Sequence, residues 1–216
     1  MMQIFIRLFV WFHNVSYKVI AKLAIKENGG VHPKHAILKY HQFFIDHILS
    51  DDVVIDIGCG KGENAYDIAT KAKQVVAIDI KKSNIEYAMH IYQRDNLTYL
   101  SGDVLTYNFE KRFDKIILSN VLEHIDHRVD FLTKLHHISD VVLLRVPLLD
   151  RDWLVVYKKN KGFEYRLDPT HFIEYTLNIL KNELASSDWT IAEYSIQFGE
   201  FWGVIYSRTF YEPMED

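Results

Sequence analysis

The chain has 216 residues, of which 49% are hydrophobic and 14% aromatic, enough for one compact domain with a full apolar core. A formal net charge of −4 excludes a general electrostatic attraction to nucleic acid. The single cysteine, Cys59, excludes an internal disulfide and any site built on a Cys-x-x-Cys pair, so we expect a reducing, cytoplasmic setting.

Residues 1–32 form an apolar and aromatic segment that polar residues interrupt. Its longest unbroken apolar run, residues 8–12, is far shorter than the ~20 residues that cross a bilayer. The segment also lacks the cleavage site of a signal peptide. Four basic residues against Glu27 give it a charge of +3. We expect an amphipathic helix, and two interpretations stay open: a lid over apolar surface, or a peripheral contact with a membrane.

The remaining elements alternate along the chain. A helix is predicted over 33–49, with Pro33 in its first turn. Short apolar runs typical of buried strands follow at 53–57, 74–78, 97–100, 115–118 and 141–146, with helices predicted between them at 63–73, 83–93 and 127–138. A helix over 172–186 precedes two further runs, 190–197 and 202–207, which we expect to pair antiparallel. This order indicates an α/β fold whose mostly parallel sheet is covered on both faces.

Residues 147–171 form a long connection after the fifth strand, rich in charged and aromatic side chains. Connections of this length in a compact domain are usually functional, and ligands of open α/β sheets lie beyond the carboxyl ends of the strands. We therefore expect a substrate-side insertion. Its basic residues suit a phosphorylated or nucleotide-linked acceptor, although a solvated, mobile loop explains the same charges.

The run "VVIDIGCGKGENAYDI" at 53–68 joins a strand to a helix through three glycines. A phosphate-binding P-loop needs Gly-Lys-Ser/Thr, but Lys61 precedes Gly62 instead. The dinucleotide pattern needs a glycine at position 63, where Glu63 stands and would repel a pyrophosphate at the helix N-terminus. The spacing therefore indicates a loop that approaches its ligand closely but cradles no pyrophosphate.

This run resembles the first motif of class I S-adenosylmethionine-dependent methyltransferases, an apolar strand followed by Asp, any residue and Gly-x-Gly-x-Gly. "VVAIDI" at 75–80, "SGDV" at 101–104 and "FDKIILSNVLEHI" at 113–125 resemble the later motifs of the small-molecule (type 11/type 23-like) branch. The resemblance covers about residues 33–208. It implies a Rossmann-like, doubly wound, seven-stranded sheet, mostly parallel with an antiparallel last strand. It also implies the cofactor S-adenosyl-L-methionine, with S-adenosyl-L-homocysteine as product.

The resemblance also implies roles for individual residues. Asp56 orders the glycine loop and receives the ligand's ammonium group, while Cys59 is a small residue that fills the loop. Asp79 accepts the ribose hydroxyls, the interaction that reads ribose in dinucleotide folds. Asp103 bonds the adenine amino group. The cofactor-binding set is Asp56, Gly58, Cys59, Gly60, Gly62, Asp79, Ile80, Asp103, Val104 and Asn120.

His124 and His171 are the candidate general bases, with Glu123 behind them, since histidine titrates near neutrality. Alternatively, the Glu123–His124 pair only shapes the pocket or contacts the cofactor. The candidate substrate-binding residues are Tyr40, Arg145, Tyr157 and Arg166. Histidine pairs stand at 124–127 and 32–35, but no third ligand is identifiable, so no metal is predicted.

The sequence predicts an N-terminal helix or lid, residues 1–32, and a methyltransferase domain, residues 33–212. Methylation of a small-molecule, sugar or lipid/glycan-linked acceptor is expected, with O-methylation favoured over N-methylation. The run from Ser119 to Leu122 lacks the Asn/Asp-Pro-Pro-aromatic motif of nucleic-acid amino-methyltransferases, so no nucleic-acid partner is predicted. The alternatives are a non-catalytic methyltransferase-like partner subunit and a nicotinamide-dependent oxidoreductase.

Overall fold

The computed structural model describes residues 2–210, so Met1 and the last two residues of the predicted domain 33–212 lie outside the described part of the chain. The helices are α1 Met2–Glu27, α2 Lys34–Leu38, α3 Tyr40–Asp46, α4 Glu63–Ile68, α5 Lys82–Ile91, α6 Arg128–Leu135, α7 Trp153–Asn160 and α8 Leu177–Ser186. The strands are β1 Val53–Ile57, β2 Gln74–Asp79, β3 Leu97–Ser101, β4 Lys115–Ser119, β5 Val141–Pro147, β6 Trp189–Gln197 and β7 Glu200–Ser207.

The seven strands form one sheet in the order β3-β2-β1-β4-β5-β7-β6. The first five strands are mutually parallel, and β7 runs antiparallel to both β5 and β6. This arrangement confirms the predicted Rossmann-like sheet. The strand order reverses between β1 and β4, and the crevice beyond their carboxyl ends is where such sheets bind ligands.

Two apolar clusters cover the two faces of the sheet. Because side chains alternate along a strand, Ile55 of β1 belongs to one cluster and Val54 to the other. Helices α6 and α8 supply the first cluster with buried leucines such as Leu132 and Leu180. Helices α3, α4 and α5 cover the second, with Phe44 fully buried. Burial on both faces explains why the central strands are apolar throughout.

The prediction of a single helix over 33–49 is wrong. Lys39 adopts the left-handed conformation, with φ of 54°, and separates α2 from α3. This break turns Tyr40 inward, so that its ring lies 3.8 Å from the Arg145 guanidinium carbon. Tertiary packing therefore overrides the helical periodicity of the segment.

The other predicted helices are also shorter than expected, since α6 spans Arg128–Leu135 instead of 127–138 and α5 ends at Ile91 instead of residue 93. Helix α4 ends at Ile68, because the Asn96 side chain donates hydrogen bonds to the carbonyls of Ala69 and Ala72 just beyond it. Helix α8 begins at Leu177 instead of residue 172. The chain before it is extended, with Tyr175 bridged to the segment after β5. The insertion 147–171, expected as a loop, contains helix α7.

Helix α1 is one continuous helix, and none of its residues, Met2 to Glu27, is buried. By length and composition alone it passes as a helix able to cross a membrane, with a mean hydropathy of 1.2 over its most apolar window. The longest unbroken apolar run of α1 is short, but few polar residues interrupt the helix, so its mean hydropathy stays high. Composition therefore does not separate a spanning helix from a surface helix.

Candidate functional site

The glycine loop after β1 is fixed to its neighbours by close backbone approach. The N–H groups of Gly58 and Cys59 donate to the carbonyl of Ile78 at 2.8 and 3.1 Å. Gly58 has φ of +70°, and a Cβ there would lie 2.6 Å from the Val121 side chain. Only glycine fits both the backbone and the contact. Cys59 is buried, and burial raises the pKa of its thiol, which agrees with a space-filling role.

Asp79, at the end of β2, is held by this loop. Its Oδ2 accepts a hydrogen bond from Gly60 N–H at 2.9 Å, and its Oδ1 accepts one from Lys81 N–H at 2.7 Å. The Asn84 amide donates to Oδ1 at 3.3 Å. A carboxylate has about four acceptor positions, so Asp79 is oriented and can still accept ligand hydroxyls.

A cavity of about 470 Å³ opens beyond the carboxyl ends of the central strands. Gly58, Asp79, Ile80, Asp103 and Val104 line it, so half of the predicted cofactor set meets there. Asp103 Oδ1 accepts a hydrogen bond from Leu105 N–H at 3.0 Å and thereby fixes the loop after β3. His124 lies on the opposite wall.

Asp56 lies behind the glycine loop and is 1% exposed. Burial, reinforced by the charge of Asp79, raises the pKa of the Asp56 carboxyl to about 8. Within residues 2–210, its Oδ2 has no hydrogen-bond partner, and neither has Asn120 Oδ1 after β4. Buried oxygens without donors are costly. They fit a ligand that brings N–H donors, such as the ammonium group of an amino acid.

Glu123, His124 and His171 form a cluster beside the cavity. The two imidazole rings meet edge to face with centroids 4.5 Å apart, and one ligand atom from each residue lies within 4.8 Å of the others. Such a cluster could hold a metal ion, although it contains neither of the histidine pairs noted in the sequence, 124–127 and 32–35. His171 Nδ1 bonds Glu174 Oε1 at 2.9 Å, and His124 Nδ1 lies 2.9 Å from Thr170 Oγ1.

The surroundings of the cluster shift the pKa values of Glu123 and His124 in opposite directions. Glu123 is fully buried, and neither of its carboxyl oxygens has a partner among the described residues. Burial raises the pKa of Glu123 to about 7, against the lowering effect of His171 and Arg145. Burial and the neighbouring His171 lower the pKa of His124. Near neutral pH the cluster therefore contains a neutral imidazole next to a carboxyl group that titrates.

The four predicted substrate residues do not line one cavity. The buried Arg145 guanidinium donates to both carboxylate oxygens of Glu200, at 2.6 and 2.9 Å, and stacks on Tyr40, so it already has an anionic partner. Arg166 pairs with Glu164 and lines a second cavity of about 390 Å³ between α1 and the insertion. Tyr157 lies on α7, near Lys161.

Sequence reasoning missed three residues that hold the site together. Glu174 orients His171, Thr170 contacts His124, and Glu200 neutralises Arg145. The run Asp-Pro-Thr-His at 168–171 was a local signal for Thr170. No sequence signal marks Glu200, because the antiparallel pairing of β5 with β7 brings it to Arg145.

The fold, the glycine loop and the cavity agree with those expected of a class I S-adenosylmethionine-dependent methyltransferase. The family model described as "Methyltransferase domain" matches residues 54–140, which include the glycine loop, Asp79, Asp103 and the Glu123–His124 pair. Residues 54–140 therefore resemble a methyltransferase domain, and the fold and the site together support a class I enzyme whose cofactor is S-adenosylmethionine.

Curated relatives match part of the chain. The ubiquinone biosynthesis O-methyltransferase of Rickettsia typhi is 34% identical over 101 residues, which are 45% of this chain and 41% of that protein. The protein of the same name from Rickettsia conorii is 27% identical over 129 residues, 56% of this chain and 43% of the relative. The chain thus spans about two fifths of the length of these relatives.

Solved structures share the fold. Magnesium protoporphyrin IX methyltransferase from Synechocystis, with bound S-adenosylhomocysteine, superimposes with a TM-score of 0.63 at 18% identity, over 80% of this chain and 82% of that one. An S-adenosylmethionine-dependent methyltransferase from Clostridium acetobutylicum gives a TM-score of 0.63 at 14% identity, over 88% and 98% of the two chains. At these identities the likeness concerns the fold.

Proposed function

We propose that the protein transfers a methyl group from S-adenosylmethionine to a hydroxyl group of a small-molecule acceptor. The observation that carries the proposal is that His124, packed against the buried Glu123 and His171, lines the cavity that Gly58 and Asp79 also line. The printed name of the Rickettsia relatives supports small-molecule O-methylation as the class of reaction.

In this proposal, three acids of the chain hold the cofactor. Asp79 accepts hydrogen bonds from the ribose hydroxyls, and Asp103 accepts one from the adenine amino group. Asp56, with its unpartnered Oδ2, faces the amino-acid end together with Asn120. When bound, S-adenosylmethionine supplies an electrophilic methyl group on a sulfonium. The chain itself must then position the acceptor and remove its proton.

His124 is the group that we assign to proton removal. Its lowered pKa keeps the imidazole neutral near pH 7, so a ring nitrogen can accept a proton from the acceptor hydroxyl. The edge-to-face contact with His171, itself bound to Glu174, holds the His124 ring in place. Proton removal is needed for a hydroxyl acceptor, and the presence of a positioned base favours O-methylation over N-methylation.

The test uses the purified full chain. Calorimetry should show binding of S-adenosylhomocysteine and none of NAD. Transfer of labelled methyl should follow with hydroxyl acceptors of a panel that contains phenols, sugars and amines. Binding of NAD without S-adenosylhomocysteine would overturn the proposal.

The variant Asp79→Ala tests the site itself. It should weaken S-adenosylhomocysteine binding by about 1–3 kcal/mol, because hydrogen bonds to a charged group are lost. Asp95→Ala, at an exposed acid outside the cavity, is the matched control and should bind as the wild type does. Equal affinity of Asp79→Ala and the wild type would show that the ligand lies elsewhere.

A further inference from the structure

Helix α1 exposes an apolar stripe to the outside. The stripe consists of Phe5, Leu8, Phe9, Phe12, Val15, Val19 and Leu23. Apart from the adjacent Leu8 and Phe9, successive residues are three or four apart, so the set shares one face of the helix, and each is between 38% and 68% exposed. A helix that docks on a soluble domain normally buries its apolar face. In α1 the residues of the apolar stripe are instead exposed.

Polar side chains of α1 make specific contacts with the domain. The Lys158 ammonium donates to Asn14 Oδ1 at 2.7 Å, and the Asn14 amide donates to the Glu164 carbonyl at 3.2 Å. The Arg7 guanidinium lies 5.9 Å from the centroid of the Phe163 ring. All three partners belong to the insertion 147–171. The side of the helix nearer the insertion is mixed, because Asn14 shares it with the partly exposed apolar residues Ile6, Val10, Ala21, Ala24 and Ile25, and the residues of the stripe are all more exposed than these.

The charges of α1 complement an anionic surface. Lys18, Lys22 and Lys26 are spaced four residues apart and follow one edge of the stripe, and Glu27 is the single acid of the helix. Lysines in this position can extend their ammonium groups to lipid headgroups while the stem lies along apolar surface. The whole chain carries −4, so the positive charge is local to this helix.

The contacts also exclude a spanning orientation. At 1.5 Å per residue, α1 is roughly 39 Å long. The residues that touch the insertion, Arg7 and Asn14, lie well inside this length. If the middle of the helix were in the hydrocarbon core, the polar insertion would have to enter it too, at a high cost.

We propose that α1 lies in the plane of an anionic bilayer surface, with the stripe from Phe5 to Leu23 in the acyl boundary, and attaches the insertion side of the domain to the membrane. The second cavity, lined by Tyr17 and Lys18 of α1 and by Arg166 of the insertion, then lies next to the lipid surface.

Vesicle flotation of the full chain tests this proposal. The protein should float with vesicles of phosphatidylcholine and phosphatidylglycerol, float less with phosphatidylcholine alone, and lose this difference in high salt. Phe9→Asp and Phe12→Asp should each lower the bound fraction by about tenfold or more, because a large apolar contact is lost. Met89→Asp, at an exposed apolar residue of α5, is the matched control and should float as the wild type does.

Four outcomes would overturn the proposal. The wild type does not float, or the stripe variants float as well as it does. Retention on vesicles after an alkaline carbonate wash shows a spanning helix. Light scattering without vesicles shows dimers that Phe9→Asp abolishes, and the stripe then covers a second copy of the chain. Binding of S-adenosylhomocysteine by every variant, measured in parallel, shows that the domain remains folded.

Discussion

Glu123 combines complete burial with a titration near neutrality. Its pKa is raised from 4.5 to about 7, mainly by burial, so the folded protein holds this proton more tightly than the unfolded chain does. The contribution to stability is therefore fully present below about pH 4.5 and is lost as the pH rises through 7. The backbone N–H of Glu123 and the charges of His171 and Arg145 favour the ionised carboxylate, but they do not compensate its desolvation.

The variant Glu123→Gln should remove this pH dependence, because glutamine keeps the shape and stays neutral. Near pH 4.5 its free energy of unfolding should match that of the wild type. At pH 8 it should be the more stable protein, by at most about 3 kcal/mol for a shift of this size. Chemical denaturation at both pH values measures the difference. Glu110→Gln, at an exposed acid, should follow the wild type, and a Glu123→Gln protein that gains nothing at pH 8 contradicts the burial argument.

The role of a residue can be predicted from the sequence only where neighbouring residues form a recognisable motif. Asp79, which glycine spacing and a strand end single out, lines the cavity, and its contact with a ribose stays a prediction. Arg145 illustrates the opposite case. A basic residue near a strand end suits phosphate binding, but its charge is balanced by Glu200 across the β5–β7 pair. The residues next to Arg145 and Glu200 in the sequence do not indicate that β5 pairs with β7.

At the scale of elements, the glycine loop offers a comparison between two positions with similar backbones. Gly60 and Gly62 have φ of +57° and +90°, so alanine at either position costs about 1–2 kcal/mol for the left-handed conformation. At Gly62 a Cβ would also lie 2.7 Å from the Tyr99 hydroxyl and 2.9 Å from Ala88 Cβ. At Gly60 it would meet no described atom within 4 Å.

Gly62→Ala should therefore destabilise the protein by about 1–3 kcal/mol more than Gly60→Ala does, because only the first overfills a packed contact. Chemical denaturation without ligand measures both, and Gly60→Ala is the matched control for backbone strain. Equal losses would mean that Tyr99 and α5 move aside without cost.

Strands were predicted more accurately than helices in this chain, for a physical reason. The central strands are buried on both faces, so each reads as an apolar run whose ends are sharp, as for β1 at 53–57. Helix ends depend on contacts with other elements. Lys39 breaks the first predicted helix, and Thr176 starts α8 by accepting a hydrogen bond from Ile179 N–H at 3.3 Å. Neither residue type forbids a continuing helix, so the sequence did not reveal these boundaries.

At the scale of the whole molecule, the ligand cavity and α1 share no residues. The cavity lies at the carboxyl ends of the central strands, whose two faces are covered by the two apolar clusters. Helix α1 contributes to neither cluster and touches the insertion instead. The packing of the sheet therefore involves no residue of α1.

Truncation of residues 1–28 should accordingly leave the free energy of unfolding within about 0.5 kcal/mol of the full chain, the range of surface changes away from packed features. The affinity for S-adenosylhomocysteine should also be unchanged, because no residue of α1 lines the 470 Å³ cavity. Denaturation and calorimetry on the two proteins measure these quantities. A lid over apolar surface predicts the reverse, a less stable domain with a lower denaturation midpoint, since removal would expose what the lid covers. An unchanged domain would identify α1 as a separate attachment, whose exposed apolar stripe serves a surface outside the protein.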